Sequence, residues 1–444
     1  MTETLDTHRR ALAVNLDPTS YGTFAEIGAG QEVARWFLSV GAAAGTVAKT
    51  ISAYDMAVSD SIYGQAGRYV SRERLLAMLE HEYSLLLQRL RGTRGSKSRF
   101  FVFADTVSAR NFAGTNECHG WVGLRFQTEP GGRPSDVLLH VNLRDPSSRE
   151  QQDALGVLGV NLLHAAFFEL GRGVRWIESL LANLSSARLE IDFVELTGPA
   201  FARVDRDALG VEVVRRGLAL AVLTTRTGAL VPPTEFLRKR PIVIERCPAA
   251  GPGRPSSRGL QATARRLVAE NPAFERPPLA LFEVSTAAVG RRLAPAATQV
   301  RRRVGQLVRP SAPVLVTRHA AAYELVRYVR RYTQQPVVLV LTPSALVEAL
   351  SATIDRARTG QAFEAFGRLL GEDARMFVGP EPVADFRAAL RRAGLDTRGV
   401  RGPERGLLRV GELGLPAPLD ALLDYLLGAG WVVPLGERRS PSGR

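Results

Sequence analysis

The chain has 444 residues, 45% of them hydrophobic, which is enough for about two to three domains with their own cores. Its two cysteines, Cys118 and Cys247, stand in unrelated contexts, so neither a disulfide framework nor a cysteine-rich metal site is supported. The start of the chain is polar and no run of ~20 apolar residues occurs, so we expect a cytoplasmic protein with no membrane segment.

Basic residues outnumber acidic ones, with 58 Lys and Arg against 44 Asp and Glu and a formal net charge of +14. The arginines are spread along the chain, and a dispersed excess is more typical of solvated surface than of a nucleic-acid interface. The expected partner is therefore an acidic or phosphorylated small molecule. A dedicated nucleic-acid role is not expected, and a homo-oligomer is left open.

The first 90 residues alternate extended and helical patterns. Tyr21 to Ile27 reads as a strand, Gly28 to Gly30 as a turn, and the apolar spacing from Val33 to Val40 as a helix. A second extended stretch covers Thr46 to Ala53. Ser71 then precedes a long helical pattern that ends near Leu90, with the serine as its N-terminal cap.

The middle of the chain changes to the two-residue period of strands. Three predicted strands, separated by turn residues, favour an antiparallel meander: one around Phe101 and Phe103, then Trp121 to Phe126 and Val137 to Leu143. A helix follows from about Ser148 to Leu170. The next strand, Leu189 to Leu196, alternates apolar and acidic residues, which predicts an acidic outward face.

A Pro- and Gly-rich segment at residues 248–258 predicts a linker, with a mixed α/β domain at 1–247 and an α/β domain at 259–444. Beyond it, apolar runs alternate with helical stretches, which favours a parallel sheet covered by helices. The apolar runs are Leu279 to Val284, Val314 to Thr317, Val337 to Leu341 and Arg375 to Val378. The fold class predicted for the whole chain is thus α/β, with antiparallel strands in its amino-terminal part.

Lys49 is the first candidate for a catalytic residue. Lysine occurs only at Lys49, Lys97 and Lys239, and the other two lie in arginine-rich stretches where either basic residue would serve. An ammonium can bind phosphate as a point charge or form a Schiff base, which a guanidinium does poorly. A lysine left by chance at a strand end is the plain alternative.

Polar residues gather after Lys49, and we assign them to the same candidate site. Asp55 is predicted to act with Lys49 in catalysis, whereas the others are predicted to bind substrate or nucleotide: Thr50, Ser52, Tyr54 and Asp60. A P-loop is rejected, because three residues separate Gly45 from Lys49 where that loop has none. No metal-ligand spacing is found among the histidines and cysteines.

Gly28 and Gly30 form a second candidate, because glycines between a strand and a helix let a ligand approach the backbone and the helix start can bind an anion. Glu26-Ile27-Gly28-Ala29-Gly30 resembles the first motif of S-adenosylmethionine-dependent methyltransferases, although Glu32 stands in place of the third glycine. A turn that only redirects the chain is the alternative.

Two stretches, Gly22 to Arg35 and Gly45 to Met56, resemble a bacterial family whose members are often labelled nicotinate-nucleotide adenylyltransferase. The likeness continues through Gly120-Trp121 and Gly156 to Leu162. The chain lacks the His-x-Gly-His motif that true adenylyltransferases of that class share. The resemblance therefore implies a shared fold and a shared site near Lys49.

Together these observations lead us to expect an enzyme that acts on a nucleotide or another phosphorylated metabolite, and specifically a transferase. A nucleotide substrate would bring a divalent cation such as Mg²⁺. The alternatives are a methyltransferase that uses the glycine turn and a noncatalytic arginine-rich binding or assembly protein.

Overall fold

A computed structural model describes residues 5–170, 175–225, 227–247, 258–270, 277–287, 294–308, 312–347, 367, 371, 374–392, 394, 396–403, 405–415 and 417–435. The chain divides into two compact units, Met1–Val222 and Leu223–Arg444. This division differs from the one expected at residues 248–258, which lie almost entirely outside the described residues. The strand before that segment and the helix after it belong to the same unit.

The first unit alternates helices and strands before its meander. Its helices are α1 (Thr7–Asn15), α2 (Glu32–Ser39), α3 (Met56–Tyr63), α4 (Arg72–Arg94), α5 (Ser148–Phe168), α6 (Arg175–Ser179) and α7 (Arg206–Arg216). Its strands are β1 (Ser20–Ile27), β2 (Val47–Ile51), β3 (Arg99–Ser108), β4 (His119–Phe126), β5 (Ser135–Leu143) and β6 (Leu189–Thr197).

These six strands form one mixed sheet in the order β2-β1-β3-β4-β5-β6. Strands β2, β1 and β3 are parallel, β3 to β5 form the predicted antiparallel meander, and β6 pairs antiparallel with β5. The carboxyl ends of the parallel strands meet at one edge of the sheet, which we call the first carboxyl edge. Because β4 runs back from β3, its first residue, His119, lies opposite Ser108 at this same edge.

Helices cover both faces of this sheet. On one face Phe24 packs against Phe37 of α2 with ring centroids 5.1 Å apart, and Phe101 packs against Phe167 of α5 at 5.7 Å. Phe24, Phe37 and Phe101 are fully buried, and burial of each ring stabilises the fold by about 1.5–3 kcal/mol. On the other face α4 crosses the sheet over Gly123, where an added Cβ would lie 2.8 Å from the Leu79 side chain.

The predicted start of α4 is confirmed. Ser71 is the N-cap, and its hydroxyl accepts a hydrogen bond from the backbone N–H of Arg74 at 3.2 Å. That bond satisfies an amide that has no partner within the helix, which stabilises helices by about 1 kcal/mol.

The prediction that the acidic residues of β6 face outward is wrong for two of them. Glu190 and Asp192 are fully buried, because each meets polar partners on neighbouring strands and loops. Glu190 pairs with Arg144 and accepts from the backbone N–H of Leu220, whereas Asp192 contacts His140. A buried carboxylate with such partners avoids most of the cost of leaving water.

A larger sheet makes up most of the second unit, and its strand β7 begins at Ala221, just before the unit boundary. Its strands are β7 (Ala221–Thr224), β8 (Leu230–Val231), β9 (Ile242–Cys247), β10 (Leu279–Ser285), β11 (Val314–Thr317), β12 (Val337–Leu341), β13 (Ala374–Val378) and β16 (Val432–Pro434), while β14 (Glu381–Pro382) and β15 (Leu407–Leu408) form a separate ribbon. Its helices are α8 (Pro233–Phe236), α9 (Arg258–Ala269), α10 (Ala294–Val308), α11 (Ala322–Arg330), α12 (Val383–Arg392) and α13 (Ala417–Gly428).

The strand order of the large sheet is β16-β13-β12-β9-β10-β11-β7-β8, and all neighbouring strands from β16 to β11 run parallel. The central strand β12 is apolar and buried throughout, and β9 is buried except at Arg246, as expected for strands covered on both faces. The predicted parallel, helix-covered sheet is confirmed. Within the described ranges, no helix has the length and apolar character needed to cross a bilayer.

Candidate functional site

The glycine turn connects β1 to α2 at the first carboxyl edge. Gly28 has φ +95°, and a Cβ on it would lie 2.0 Å from the carbonyl oxygen of Val107. Gly30 has φ +77° and an added Cβ would come 3.2 Å from Gln152 Oε1. Backbone geometry and the close approach of β3 therefore require glycine at position 28, whatever else the turn does.

The start of α2 already holds an anionic group of the chain. The backbone N–H groups of Val33 and Ala34 donate to the two carboxylate oxygens of Glu26 at 3.0 and 2.9 Å. Glu26 is only 1% exposed. Because these amides are the donors that would bind a ligand phosphate at a helix start, Glu26 occupies the anion position predicted there.

Glu26 has a second buried carboxylate beside it. Asp105 lies opposite Glu26 in the parallel pairing of β1 and β3, is fully buried, and accepts from the backbone N–H of Ile27 at 3.2 Å. Burial raises the pKa of Glu26 to about 7. Burial and the nearby Glu26 charge also raise the pKa of Asp105 well above its usual value. Two adjacent carboxyl groups out of water hold a proton more readily than either would alone.

Lys49 lies on β2 and faces α4. Its Nζ pairs with Glu82, which also accepts from the Tyr63 hydroxyl at 3.0 Å. The Lys49 side chain is 31% exposed and Glu82 only 1%. The partner of Lys49 is therefore a buried carboxylate of α4, and the predicted joint action of Lys49 and Asp55 in catalysis stays a prediction.

Asp55 and Asp60 have structural partners of their own. Asp55 is the N-cap of α3 and accepts from the backbone N–H of Val58 at 3.0 Å. Asp60 accepts from Arg74 at 2.8 Å and from the Tyr69 hydroxyl at 2.9 Å. The two carboxylates therefore fix α3 and the start of α4.

The other residues predicted near Lys49 lie toward solvent. Thr50 is half-buried, Ser52 is exposed, and Tyr54 is 76% exposed. An open groove of about 420 Å³ runs along α2 instead, and it is lined by Gln31, Glu32, Ala34, Arg35, Leu38 and Ser39. None of the predicted site residues lines this groove.

In the second unit, a polar cluster ties together the carboxyl ends of β9, β10 and β11. Glu283 is fully buried and accepts from Arg246 at 3.0 Å and from the Thr317 hydroxyl at 2.5 Å. Arg246 and Ser285 both donate to the backbone carbonyl of His319, at 2.8 and 2.6 Å. Sequence reasoning missed this cluster, although an acidic residue inside an apolar strand was a signal for it.

His319 lies next to this cluster and is 9% exposed. Burial, together with the nearby cations, lowers its pKa to about 4, so the ring is neutral at pH 7. Over the described residues, no group of three or more His, Cys, Asp or Glu side chains is arranged to hold a metal ion.

Comparisons with known proteins show only distant structural neighbours. A competence/damage-inducible protein, CihA, from Agrobacterium tumefaciens is 20% identical over 37% of this chain and 98% of its own, with a TM-score of 0.28. A CinA superfamily protein from Klebsiella pneumoniae is 12% identical over 36% and 96%, with a TM-score of 0.27. One from Enterobacter cloacae is 14% identical over 37% and 95%, with a TM-score of 0.28.

No protein-family model matches the chain, and no curated protein matches it. Structural similarity at this level carries no conclusion about activity. The resemblance to the family labelled nicotinate-nucleotide adenylyltransferase stays an expectation, and the function has to be inferred from the two sheets and their polar edges.

Proposed function

We propose that the chain is an enzyme that acts on a nucleotide or another phosphorylated metabolite, and that its second unit binds the nucleotide. The observation that carries this proposal is the order of the parallel strands. Numbered along the chain from β9, the order β11-β10-β9-β12-β13-β16 is 3-2-1-4-5-6, with every neighbouring pair parallel. Doubly wound sheets with this order bind nucleotides.

The order also points to a place for the ligand. Strands β10 and β11 are added on one side of β9 and β12 on the other, so the strand order reverses between β9 and β12. Such a switch point opens a crevice at the carboxyl ends of the strands. Cys247 ends β9 and Thr342 follows β12, so these two residues mark the proposed crevice.

Recognition of the ligand there would differ from the common dinucleotide pattern. In that pattern, an acidic residue near the end of the second strand binds the ribose hydroxyls. Here the acid of that strand, Glu283, is fully buried and engaged by Arg246 and Thr317. We infer that phosphate contacts contribute most of the affinity, in keeping with a net charge of +14.

We further propose that the reaction is a group transfer and that Lys49 takes part in it. Lys49 keeps about a third of its side chain accessible, while its Nζ pairs with Glu82, which the Tyr63 hydroxyl holds in turn. A fixed ammonium that still reaches solvent can bind a phosphate of an incoming substrate. Thr50 and Ser52 on the same segment would add hydroxyl donors, and Gly28 and Gly30 belong to the neighbouring strand end.

The methyltransferase alternative is less well supported than nucleotide binding. It requires a ligand at the glycine turn, where the Glu26 carboxylate already accepts from the start of α2. The noncatalytic alternative rests on the arginine content alone.

Thermal unfolding of the full chain with ATP, nicotinate mononucleotide, S-adenosylmethionine or a short RNA separates these functions. A ligand at 100 times its Kd stabilises the native state by about 2.7 kcal/mol. For a unit of this size, that corresponds to a rise in Tm of about 5–10 °C. We expect the rise with ATP or the mononucleotide. A rise with S-adenosylmethionine alone, or with RNA alone, would replace the proposal by the corresponding alternative.

A further inference from the structure

Two carboxyl groups lie side by side in the interior of the first unit, near the carboxyl ends of β1 and β3. Glu26 and Asp105 are partners in the parallel register of these strands, whose axes lie about 4.8 Å apart. Two residues earlier, Phe24 and Phe103 pack with ring centroids 6.2 Å apart, on the face of the sheet that α2 covers. Because side chains two residues apart in a strand share a face, both carboxyl groups lie on that face.

The two groups differ in their hydrogen-bond donors. Both oxygens of Glu26 accept from backbone N–H groups, those of Val33 and Ala34, at the start of a helix, where a negative charge is favoured. Asp105 accepts through Oδ1 from the N–H of Ile27, and its buried Oδ2 has no hydrogen-bond partner among the residues that the structure describes. A carboxylate oxygen out of water without a donor is costly. The negative charge of the pair therefore belongs on Glu26, and the proton belongs on Asp105.

The pair has no cation beside it to compensate a second charge. Over the described residues, neither carboxyl group forms an ion pair with a lysine or an arginine. From α2 it is faced by Glu32, which is itself paired with Arg35 at 2.9 Å. Burial and the Glu32 charge both raise the pKa of Glu26. The nearest charged group of α2 thus adds to the repulsion within the pair.

The side chains that the other neighbouring elements place next to the pair are uncharged. Helix α5 presents Gln152 to the turn, and β4 places Val122 opposite Asp105. Lys49 of β2 faces α4, on the other side of the sheet. The charged residues in the first two turns of α5 are exposed: Arg149, Glu150 and Asp153.

We propose that Glu26 and Asp105 form a proton-controlled latch on the turn between β1 and α2. While Asp105 holds its proton, the pair carries at most one negative charge, which the start of α2 compensates, and the turn stays closed. When the O–H bond of Asp105 breaks and the proton passes to water or hydroxide, two negative charges lie side by side out of water. Glu26 then leaves the N–H groups of Val33 and Ala34, which opens the turn.

The latch responds to pH in one direction. The closed state holds a proton that the open state loses, so rising pH favours opening. The turn contains Gly28 and Gly30, so access to this candidate ligand-binding segment depends on pH. The latch is independent of nucleotide binding by the second unit.

Amide hydrogen exchange of the wild-type full chain, resolved by NMR and corrected for the intrinsic effect of pH on exchange, tests the latch. We expect protection of the Val33 and Ala34 amides to fall at least about tenfold between pH 6 and pH 9, since loss of one proton changes an opening equilibrium by up to about tenfold per pH unit. The Arg74 amide, capped by the Ser71 hydroxyl, is the internal control and should stay within about threefold. Constant protection at Val33 and Ala34, or an equal loss at Arg74, would overturn the proposal.

Asp105→Asn tests which group holds the proton, because the amide keeps the shape of the side chain and cannot ionise. We expect Val33 and Ala34 in this variant to keep their protection within about threefold over the same pH range. Asp153→Asn, at an exposed acid of α5, is the matched control and should lose protection as the wild type does. The same loss in Asp105→Asn as in the wild type would assign the effect to another group and overturn the latch. The wild-type measurement decides by itself if the variant does not fold.

Discussion

At the scale of single residues, each buried carboxylate described above has a defined set of donors. Glu26 accepts from helix amides, Glu82 from a lysine and a tyrosine, and Glu283 from an arginine and a threonine. Removal of one partner from such a group leaves charge or polar atoms without compensation, which costs more than loss of an exposed pair.

Substitution of Lys49 should separate its structural role from its proposed chemical role. Lys49→Met leaves the buried Glu82 carboxylate with only Tyr63, and we expect a loss of about 2 kcal/mol in the free energy of unfolding. This loss is smaller than the roughly 3–5 kcal/mol typical of a fully buried pair, because water reaches the partly exposed lysine. Lys49→Met combined with Glu82→Gln should recover part of the loss, and chemical denaturation measures all three chains.

Lys49→Arg keeps the charge and should leave stability within about 1 kcal/mol of wild type. If the ammonium takes part in the reaction, activity on the substrate found by the ligand comparison should fall at least tenfold, about 1.4 kcal/mol of transition-state stabilisation. Lys97→Arg, at an exposed position, is the control. Full activity of Lys49→Arg would remove Lys49 from the site.

Glu26 should make the stability of the first unit depend on pH. Its pKa is about 7 in the folded chain, above its usual value, so the folded state binds more protons than the unfolded state between these values. Stability is therefore highest below the unfolded pKa and falls as pH rises through about 7. The buried Asp105, whose pKa is also raised, acts in the same direction.

The matching variant is Glu26→Gln, which retains an oxygen that can accept from Val33 and Ala34. We expect it to flatten the decline in stability between pH 5 and pH 8, as measured by urea unfolding. Glu73→Gln, on the exposed first turn of α4, should keep the wild-type pH dependence. A wild-type chain whose stability rises over this range would contradict the assigned pKa.

At the scale of elements, hydrophobic periodicity predicted the strands and long helices well. The Ser71 cap and the start of β1 were located to within one residue, because each depends on local sequence. The partners of Lys49 and Asp192 were not predicted. They come from α4 and β5, and only the three-dimensional packing brings those elements next to β2 and β6.

Glycine substitutions should distinguish strain in the turn from close approach of a strand. Gly28 and Gly41 have similar positive φ, +95° and +89°, but only Gly28 has a neighbouring backbone atom within reach of an added Cβ. Gly41→Ala should cost about 1 kcal/mol from φ alone. Gly28→Ala should cost several-fold more, since β1 and β3 must also separate. Equal losses in thermal unfolding would show that the contact with Val107 is unimportant.

At the scale of the whole molecule, the chain divides between Val222 and Leu223, ahead of the segment that composition suggests as a linker. The Pro- and Gly-rich residues 248–258 have the composition of a linker, yet β9 before them pairs with β10 and β12 inside one sheet. Composition reports only that a segment is unsuited to helix or strand. The order of strands in the second sheet, on which nucleotide binding rests, depends on pairings between distant residues and was not accessible from the sequence.

Calorimetric titration of ATP into the full chain, compared between Thr342→Glu and Gln334→Glu, tests the central claim most directly. Thr342 follows β12 at its carboxyl end, whereas Gln334 precedes the same strand at the opposite edge and is exposed. A carboxylate at position 342 should repel phosphate and weaken binding at least about tenfold, and the same charge at position 334 should leave Kd within about twofold of wild type. Equal affinity for both variants, or no binding by the wild-type chain, would contradict nucleotide binding at the β9–β12 crevice.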